Sequence, residues 1–213
     1  MEAYFVALTP DNKTRAEVAE AKLAISSKFG NQTYLLDPAH LTLYVALAEN
    51  LNDVEKRLEQ LANTNSLIKV EIANEWQEFP GDKFAGGGTS LALKFREQDK
   101  EPIVALQKKV VETLNELRQG EIHPRYKHEG LPYSLQESID RYGYPFVSSS
   151  TVPSILIPHI SLCCFNPPEN AEEFKRQYLI ERFSGPAILT KLALYKLCPD
   201  DKLEFIRYFP LRA

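Results

Sequence analysis

The sequence predicts an α+β fold made of two related lobes, with antiparallel strand pairs separated by helices. Three observations carry this reading. Apolar runs of strand length alternate with segments of helical spacing, and the order strand, helix, strand occurs twice. A four-residue phrase of the first half, His40-Leu41-Thr42-Leu43, also returns in the second as His159-Ile160-Ser161-Leu162. At 213 residues the chain is long enough for one large domain or two small lobes, and too short for a large multidomain assembly.

Tyr4 to Leu8 is a short apolar run ended by Thr9-Pro10-Asp11, which reads as a buried strand followed by a helix start. Residues 12 to 29 place Val18, Ala21, Leu23, Ile25 and Phe29 among charged positions, and Gly30 supplies the stop. The segment His40 to Leu47 is rich in β-formers and follows Pro38. As a strand it sets His40, Thr42 and Tyr44 on one face and Leu41, Leu43 and Val45 on the other. Val54, Leu58 and Leu61 give a helix over 52–62, and Leu67 to Phe79 reads as a long strand. Pro80-Gly81-Asp82 and Gly86-Gly87-Gly88 then lead through a loose hairpin into the strand Ser90 to Phe95. A helix from about Pro102 to Leu117 opens the second half. The stretch Gly120 to Pro158 is polar and rich in Pro and Tyr, with a short helix near Leu135 to Tyr142. A strand from His159 to Phe165, a helix over 169–183 and a hairpin of Ala187 to Leu197 with Leu203 to Phe209 complete the chain.

Composition narrows the function. Hydrophobic residues make up 44% and charged residues 25%, ordinary globular values that set aside disorder, collagen and coiled coil. The formal net charge of -4 argues against tracking long nucleic acid by its backbone, and leaves room for a short or terminal phosphate ligand. There is no run of about 18 apolar residues, so no membrane partner is expected. Glu2 after Met1 and the brevity of the run Tyr4 to Leu8 argue against a secretory leader. Cys163, Cys164 and Cys198 make no disulfide framework and point to a reducing cytoplasmic compartment.

The repeated phrase carries the chemistry. In a strand, residues i and i+2 project from one face, so each copy presents an imidazole beside a hydroxyl, anchored from behind by two aliphatic residues. If the two copies converge on one cleft, they form a set of parts for phosphoryl chemistry without a metal or other cofactor. One neutral imidazole takes a proton from the attacking water or hydroxyl, and the other, protonated, gives one to the departing oxygen. A reference pKa of about 6.5 allows both states near neutrality. Thr42 and Ser161 can donate hydrogen bonds to the non-bridging oxygens.

The two phrases resemble the signature of the 2H phosphoesterase superfamily, which includes the bacterial 2'-5' RNA ligase-like proteins and the cyclic phosphodiesterases of plants and yeast. The resemblance extends over most of the chain in order of elements. It includes Leu192-Ala193-Leu194-Tyr195-Lys196 followed by Asp200-Asp201-Lys202-Leu203, similar to the closing hairpin of the cyclic phosphodiesterase branch. It implies a single bilobal, duplicated domain over residues 1–213, with two antiparallel sheets flanked by helices and a central cleft. It further implies metal-independent hydrolysis of a 2',3'-cyclic phosphate or a related small cyclic-nucleotide or RNA-end phosphodiester, an RNA-processing activity. His40 and His159 carry over as the catalytic pair, and Thr42 and Ser161 as the phosphate-binding hydroxyls. The symmetry of the phrases does not say which histidine is the base. An alternative substrate class is a 2'-5' oligonucleotide or cyclic oligonucleotide, handled by a 2'-5' phosphodiesterase or RNA ligase. A reading of another class is a nucleotide or RNA-end-binding module without turnover.

The chain departs from the family pattern in two places. Some cyclic phosphodiesterases place an aromatic hydroxyl shortly after the second motif; Cys163 and Cys164 stand there, and Tyr44 is the candidate substitute. The approach to the second motif is also longer than the approach to the first by about 29 residues, an insertion at about 120–158 expected at the mouth of the cleft. It holds His123, Arg125, Tyr126, Lys127 and His128. Arg125, whose guanidinium grips phosphate as a fork, is the first candidate substrate contact and Lys127 the second. Gly86 to Gly88 lead into a strand and lack a following GKS or GKT, so a phosphate-cradling loop is set aside in favour of a hairpin tip. Adjacent cysteines on a strand point to opposite faces, so Cys163, Cys164 and His159 suggest packing and no metal site, and Trp76 is read as core. A monomer binding a cyclic nucleotide phosphate or a short RNA end is the expected state.

Overall fold

Strand β1 (Glu2–Pro10) is buried along almost its whole length, and Asp11 then caps helix α1 (Asn12–Phe29) by accepting from the Thr14 backbone N–H at 2.9 Å. The computed structural model describes residues 1–82, 85–127, 130–131, 133–145, 157–199 and 201–213. Strand β2 (Leu41–Ala48) and helix α2 (Leu51–Thr64) complete the first half, and β3 (Ile68–Pro80) pairs with β4 (Thr89–Phe95) as the expected hairpin. Helices α3 (Lys100–Asn115) and α4 (Tyr133–Tyr142), strand β5 (His159–Phe165) and helix α5 (Glu169–Gln177) follow. Strands β6 (Gly185–Leu197) and β7 (Leu203–Pro210) close the chain. The helix expected over 169–183 stops early. Tyr178 takes an extended backbone, its ring stacks on Phe174 at 4.7 Å, and Ile180–Arg182 forms a separate 3-10 turn.

The strands are antiparallel throughout, as expected, and the two sheets of the sequence reading are continuous with each other. The order is β2-β1-β6-β3-β4-β5, with β7 paired to β6 off this path. The join is β6, whose 13 residues serve both halves: Leu189 to Lys196 pair with β1, and Gly185 to Leu189 pair with β3. On either side of the β6–β3 pair the order is mirrored, β1 then β2 at one end and β4 then β5 at the other.

Those two ends meet. β2 packs near β5, and the loop after α1 ties onto β5. The Cys164 N–H donates to the Thr33 carbonyl at 3.0 Å and the Asn166 N–H to the Gln32 side chain at 2.7 Å. The sheet therefore curves until its motif-bearing strands are neighbours in space. Helix α3 covers β2 and α1 lies against β5, so each half's helix supports the other half's motif strand through one buried cluster that runs from Val6 and Leu43 to Leu93, Leu162 and Leu192.

Candidate active site

Each motif strand breaks its alternation once, at the same place. β2 pairs with β1 as Tyr44↔Val6 and then Thr42↔Ala7, which leaves Leu43 as the extra residue of a bulge. β5 pairs with β4 as Cys163↔Leu91 and then Ser161↔Ala92, which leaves Leu162 as the extra residue. Both leucines are fully buried and pin the bulge to the core. Gln107 of α3 supplies a partner at the first bulge, donating from Nε2 to the Leu43 carbonyl at 3.0 Å.

The bulge corrects the reading of Tyr44. One extra residue ends the i, i+2 rule past Thr42, so Tyr44 turns away from the motif face and does not line the cavity that the motifs form. It is fully buried, its hydroxyl donates to the Tyr142 carbonyl at 2.7 Å, and its ring meets Tyr144 edge-on at 5.5 Å.

The histidines are mounted alike. His40 stands just before β2 with Nδ1 2.8 Å from the Pro38 carbonyl, and His159 opens β5 with Nδ1 2.6 Å from the Ile157 carbonyl. A carbonyl only accepts, so Nδ1 carries the proton in both rings and Nε2 is left to exchange protons with a ligand. Each ring also has a phenylalanine beside it. Phe5 of β1 meets His40 edge-on at 5.0 Å, and Phe79 of β3 is tilted against His159 at 4.8 Å.

His40, Thr42, His159 and Ser161 line one cavity of about 480 Å³, in the size range of small-molecule sites. Arg125 lines it too, held by donating to the Tyr34 hydroxyl at 3.0 Å and by Asp201 at 3.3 Å. Lys127 does not. The 3-10 turn Pro124–Tyr126 buries Tyr126 and turns Arg125 inward, and the next residue points to solvent. His128, Asp200 and the part of the insertion at 146–156 lie outside the described residues.

The surroundings of the two imidazoles differ in charge. Burial pushes His40 down to about 4; the Pro38 carbonyl opposes this, and the Lys22 ammonium and His159 reinforce it. Burial also lowers His159, but there the Ile157 carbonyl and the Asp82 carboxylate both favour the protonated ring. Asp82 follows the end of β3, lines the cavity, and accepts from the Ser90 hydroxyl at 2.5 Å. Its hairpin depends on a close approach at Gly88, where a Cβ would lie 2.4 Å from the Phe165 carbonyl oxygen.

Sequence reasoning missed Lys22, Tyr34, Asp37, Asp82 and Asp201, all of which line the cavity. A signal existed for Lys22, which occupies the buried stripe of α1 with Val18, Ala21 and Ile25. The others come from loops, where no periodicity marks the inward side. Burial raises the thiols of Cys163 and Cys164, and both pack in the interior. Among the described residues no helix is long and apolar enough to cross a membrane.

No family model and no curated protein matches the chain. Solved structures do. TT0787 of Thermus thermophilus is similar at 17% identity with a TM-score of 0.57, over 99% of this chain and 98% of that one. A protein solved as a phosphoesterase is similar at 13% identity and a TM-score of 0.53, over 100% and 99% of the two chains. LigT of E. coli, in a complex with 3'-AMP, is similar at 14% identity and a TM-score of 0.53, over 100% and 99%. At these identities the likeness establishes the fold. The chain has an α+β, LigT-like fold over its described length, and the resemblance read from the two motifs is borne out at that level.

Proposed function

We propose that the protein is a metal-independent phosphodiesterase that hydrolyses a 2',3'-cyclic phosphate or a related small nucleotide or RNA-end phosphodiester in the cytoplasm, within one bilobal catalytic domain. The observation that carries the reading is the matched mounting of His40 and His159, each with Nδ1 on the carbonyl two residues back, in one cavity with Thr42 and Ser161. The cavity's volume of about 480 Å³ suits a mononucleotide better than a long oligomer. LigT, whose fold this chain shares, has been solved with 3'-AMP, NADP+ and ATP, which supports a nucleotide as ligand.

In this reading His40 is the base and His159 the acid. The cation near His40 favours the neutral ring, and the carboxylate near His159 favours the protonated one. Water attacks phosphorus as Nε2 of His40 takes its proton. The P–O bond to the sugar breaks as Nε2 of His159 gives its proton to the leaving oxygen, so the cyclic diester becomes a monoester beside a free hydroxyl. The two imidazoles have then exchanged protonation states, and exchange with solvent restores them. Thr42 and Ser161 donate to the non-bridging oxygens, whose charge and geometry change in the transition state.

The test is product analysis of the purified protein with 2',3'-cyclic nucleotides, 2'-5' oligomers and ADP-ribose cyclic phosphate, with and without EDTA. The expected result is monoester formation from the cyclic substrates, unaffected by EDTA and reduced roughly 100- to 10,000-fold by His40→Ala or His159→Ala. Preferential cleavage of 2'-5' oligomers would replace the substrate class, and binding without turnover would replace the enzyme by a binding module. The pH dependence of kcat/KM tests the two roles. Its acid limb should lie near pH 4 and its alkaline limb below about 6.5, and a maximum above about pH 7.5 would contradict them.

A further inference from the structure

The cavity contains a buried cation that the mechanism above uses only through its field. Lys22 lies on the buried face of α1 and is 6% exposed, a place where an ammonium is costly unless something in the site needs its charge. Two of its three N–H groups donate to the Tyr34 carbonyl at 2.6 Å and the Asp37 carbonyl at 2.8 Å. Those two bonds hold the loop that leads to His40. Its third N–H has no partner among the described residues, and the side chain lines the cavity with His40 and Thr42.

We propose that Lys22 is a third phosphate-binding group of this site, its remaining N–H donating to a non-bridging oxygen of the bound phosphoryl group. The proposal rests on the reading that the cavity takes a phosphoryl group. It also answers a deficit in that reading. Thr42 and Ser161 are neutral donors, and the negative charge of a phosphodiester gains in the transition state, where a fixed cation out of water interacts more strongly than one in solvent. The other cation lining the cavity, Arg125, is engaged by Tyr34 and Asp201.

The groups that act on Lys22 are Asp37 from the adjoining loop, Cys163 from β5 and His40 just before β2. Burial pushes the ammonium down to about 8, with the Asp37 carboxylate opposing. It is therefore charged at pH 7 and loses its charge as pH rises past about 8. His40 and His159 are already neutral in that range, and burial holds the Cys163 thiol and the Tyr34 hydroxyl protonated through it.

Sulfate is the probe, a tetrahedral anion that does not itself titrate between pH 7 and 9.5. Its binding is followed by NMR on the ring signals of His40 and His159, which places the anion in the cavity without requiring turnover. The expected result for the wild type is a fall in sulfate affinity of roughly 10- to 100-fold between pH 7 and 9.5. Lys22→Met is expected to bind sulfate that much more weakly at pH 7 and with no further pH dependence. A wild-type affinity that stays flat from pH 7 to 9.5, or a folded Lys22→Met protein that binds sulfate like the wild type, overturns the proposal. If Lys22→Met does not fold, the wild-type profile decides alone. Sulfate bound through Lys22 in a protein that turns over no phosphodiester would sink the phosphodiesterase reading and leave this one standing.

Discussion

The neutral, buried state of His40 has a consequence for stability that is separable from catalysis. In the unfolded chain the imidazole titrates at about 6.5, and in the folded protein burial pushes it down to about 4. Above pH 6.5 both states hold the ring neutral and the native state has its full stability. As pH falls from about 6.5 toward 4 the unfolded chain binds the proton first, so the native state loses stability through that window and the loss levels off below it. The gap of about 2.5 pH units corresponds to about 3 kcal/mol in all, of which about 2 kcal/mol is lost by pH 5. The perturbation is His40→Gln, which keeps a polar side chain at the site and cannot titrate. Urea unfolding followed by circular dichroism, at a series of pH values from 7.5 to 4.5, gives the stability of both proteins. Buffers must lack phosphate and sulfate, because an anion bound only to the native state would add its own stabilisation. Carboxylates and His159 titrate in both proteins and cancel in the difference. The variant should gain on the wild type by about 2 kcal/mol between pH 7.5 and pH 5. Curves that stay parallel within about 0.5 kcal/mol would refute the buried neutral state assigned to His40.

Two further outcomes test the geometry around the cavity. Gly88→Ala places a Cβ 2.4 Å from the Phe165 carbonyl oxygen and 2.8 Å from the Cys164 sulfur. Neither strand can yield freely there, so a loss of about 1–3 kcal/mol is expected, read as a lower Tm. An unchanged Tm would mean that β4 and β5 are not so close at this point. Tyr44→Phe removes the hydrogen bond to Tyr142 and should cost about 1 kcal/mol in urea unfolding while kcat/KM holds; the reverse pattern would return Tyr44 to the substrate.

Much of the site was legible because its parts are local. The phrase His40-Leu41-Thr42-Leu43 and its echo at His159 each hold the proposed catalytic groups within four consecutive residues, and the i, i+2 spacing of imidazole and hydroxyl needs only strand geometry to be read. Helix α1 was legible from the stripe Val18, Ala21, Ile25 and the Gly30 stop, and its observed ends match the expected 12 and 29. Of the two cations named by their chemistry, Arg125 lines the cavity and Lys127 does not, because a single 3-10 turn decides which of them faces inward.

The periodicity of β2 named the residues that share a face with His40 but not where that face ends. A bulge is a mismatch in length between two paired strands, so the one at Leu43 is written in the pairing of β2 with β1 and in neither strand alone; it carried Tyr44 into the core. The same holds for β6, whose length allowed it to join two expected sheets into one. It holds most of all for the charge around the histidines. The two phrases match in residue type at every position, and the difference between a ring acted on by Lys22 and a ring acted on by Asp82 comes from a helix and a hairpin distant along the chain. Side-chain identity and spacing specify what each strand can present, because those depend on backbone geometry over a few residues. Which proton each imidazole holds depends on burial and on charges brought in from other elements, and those exist only once the sheet has curved and its two ends have met.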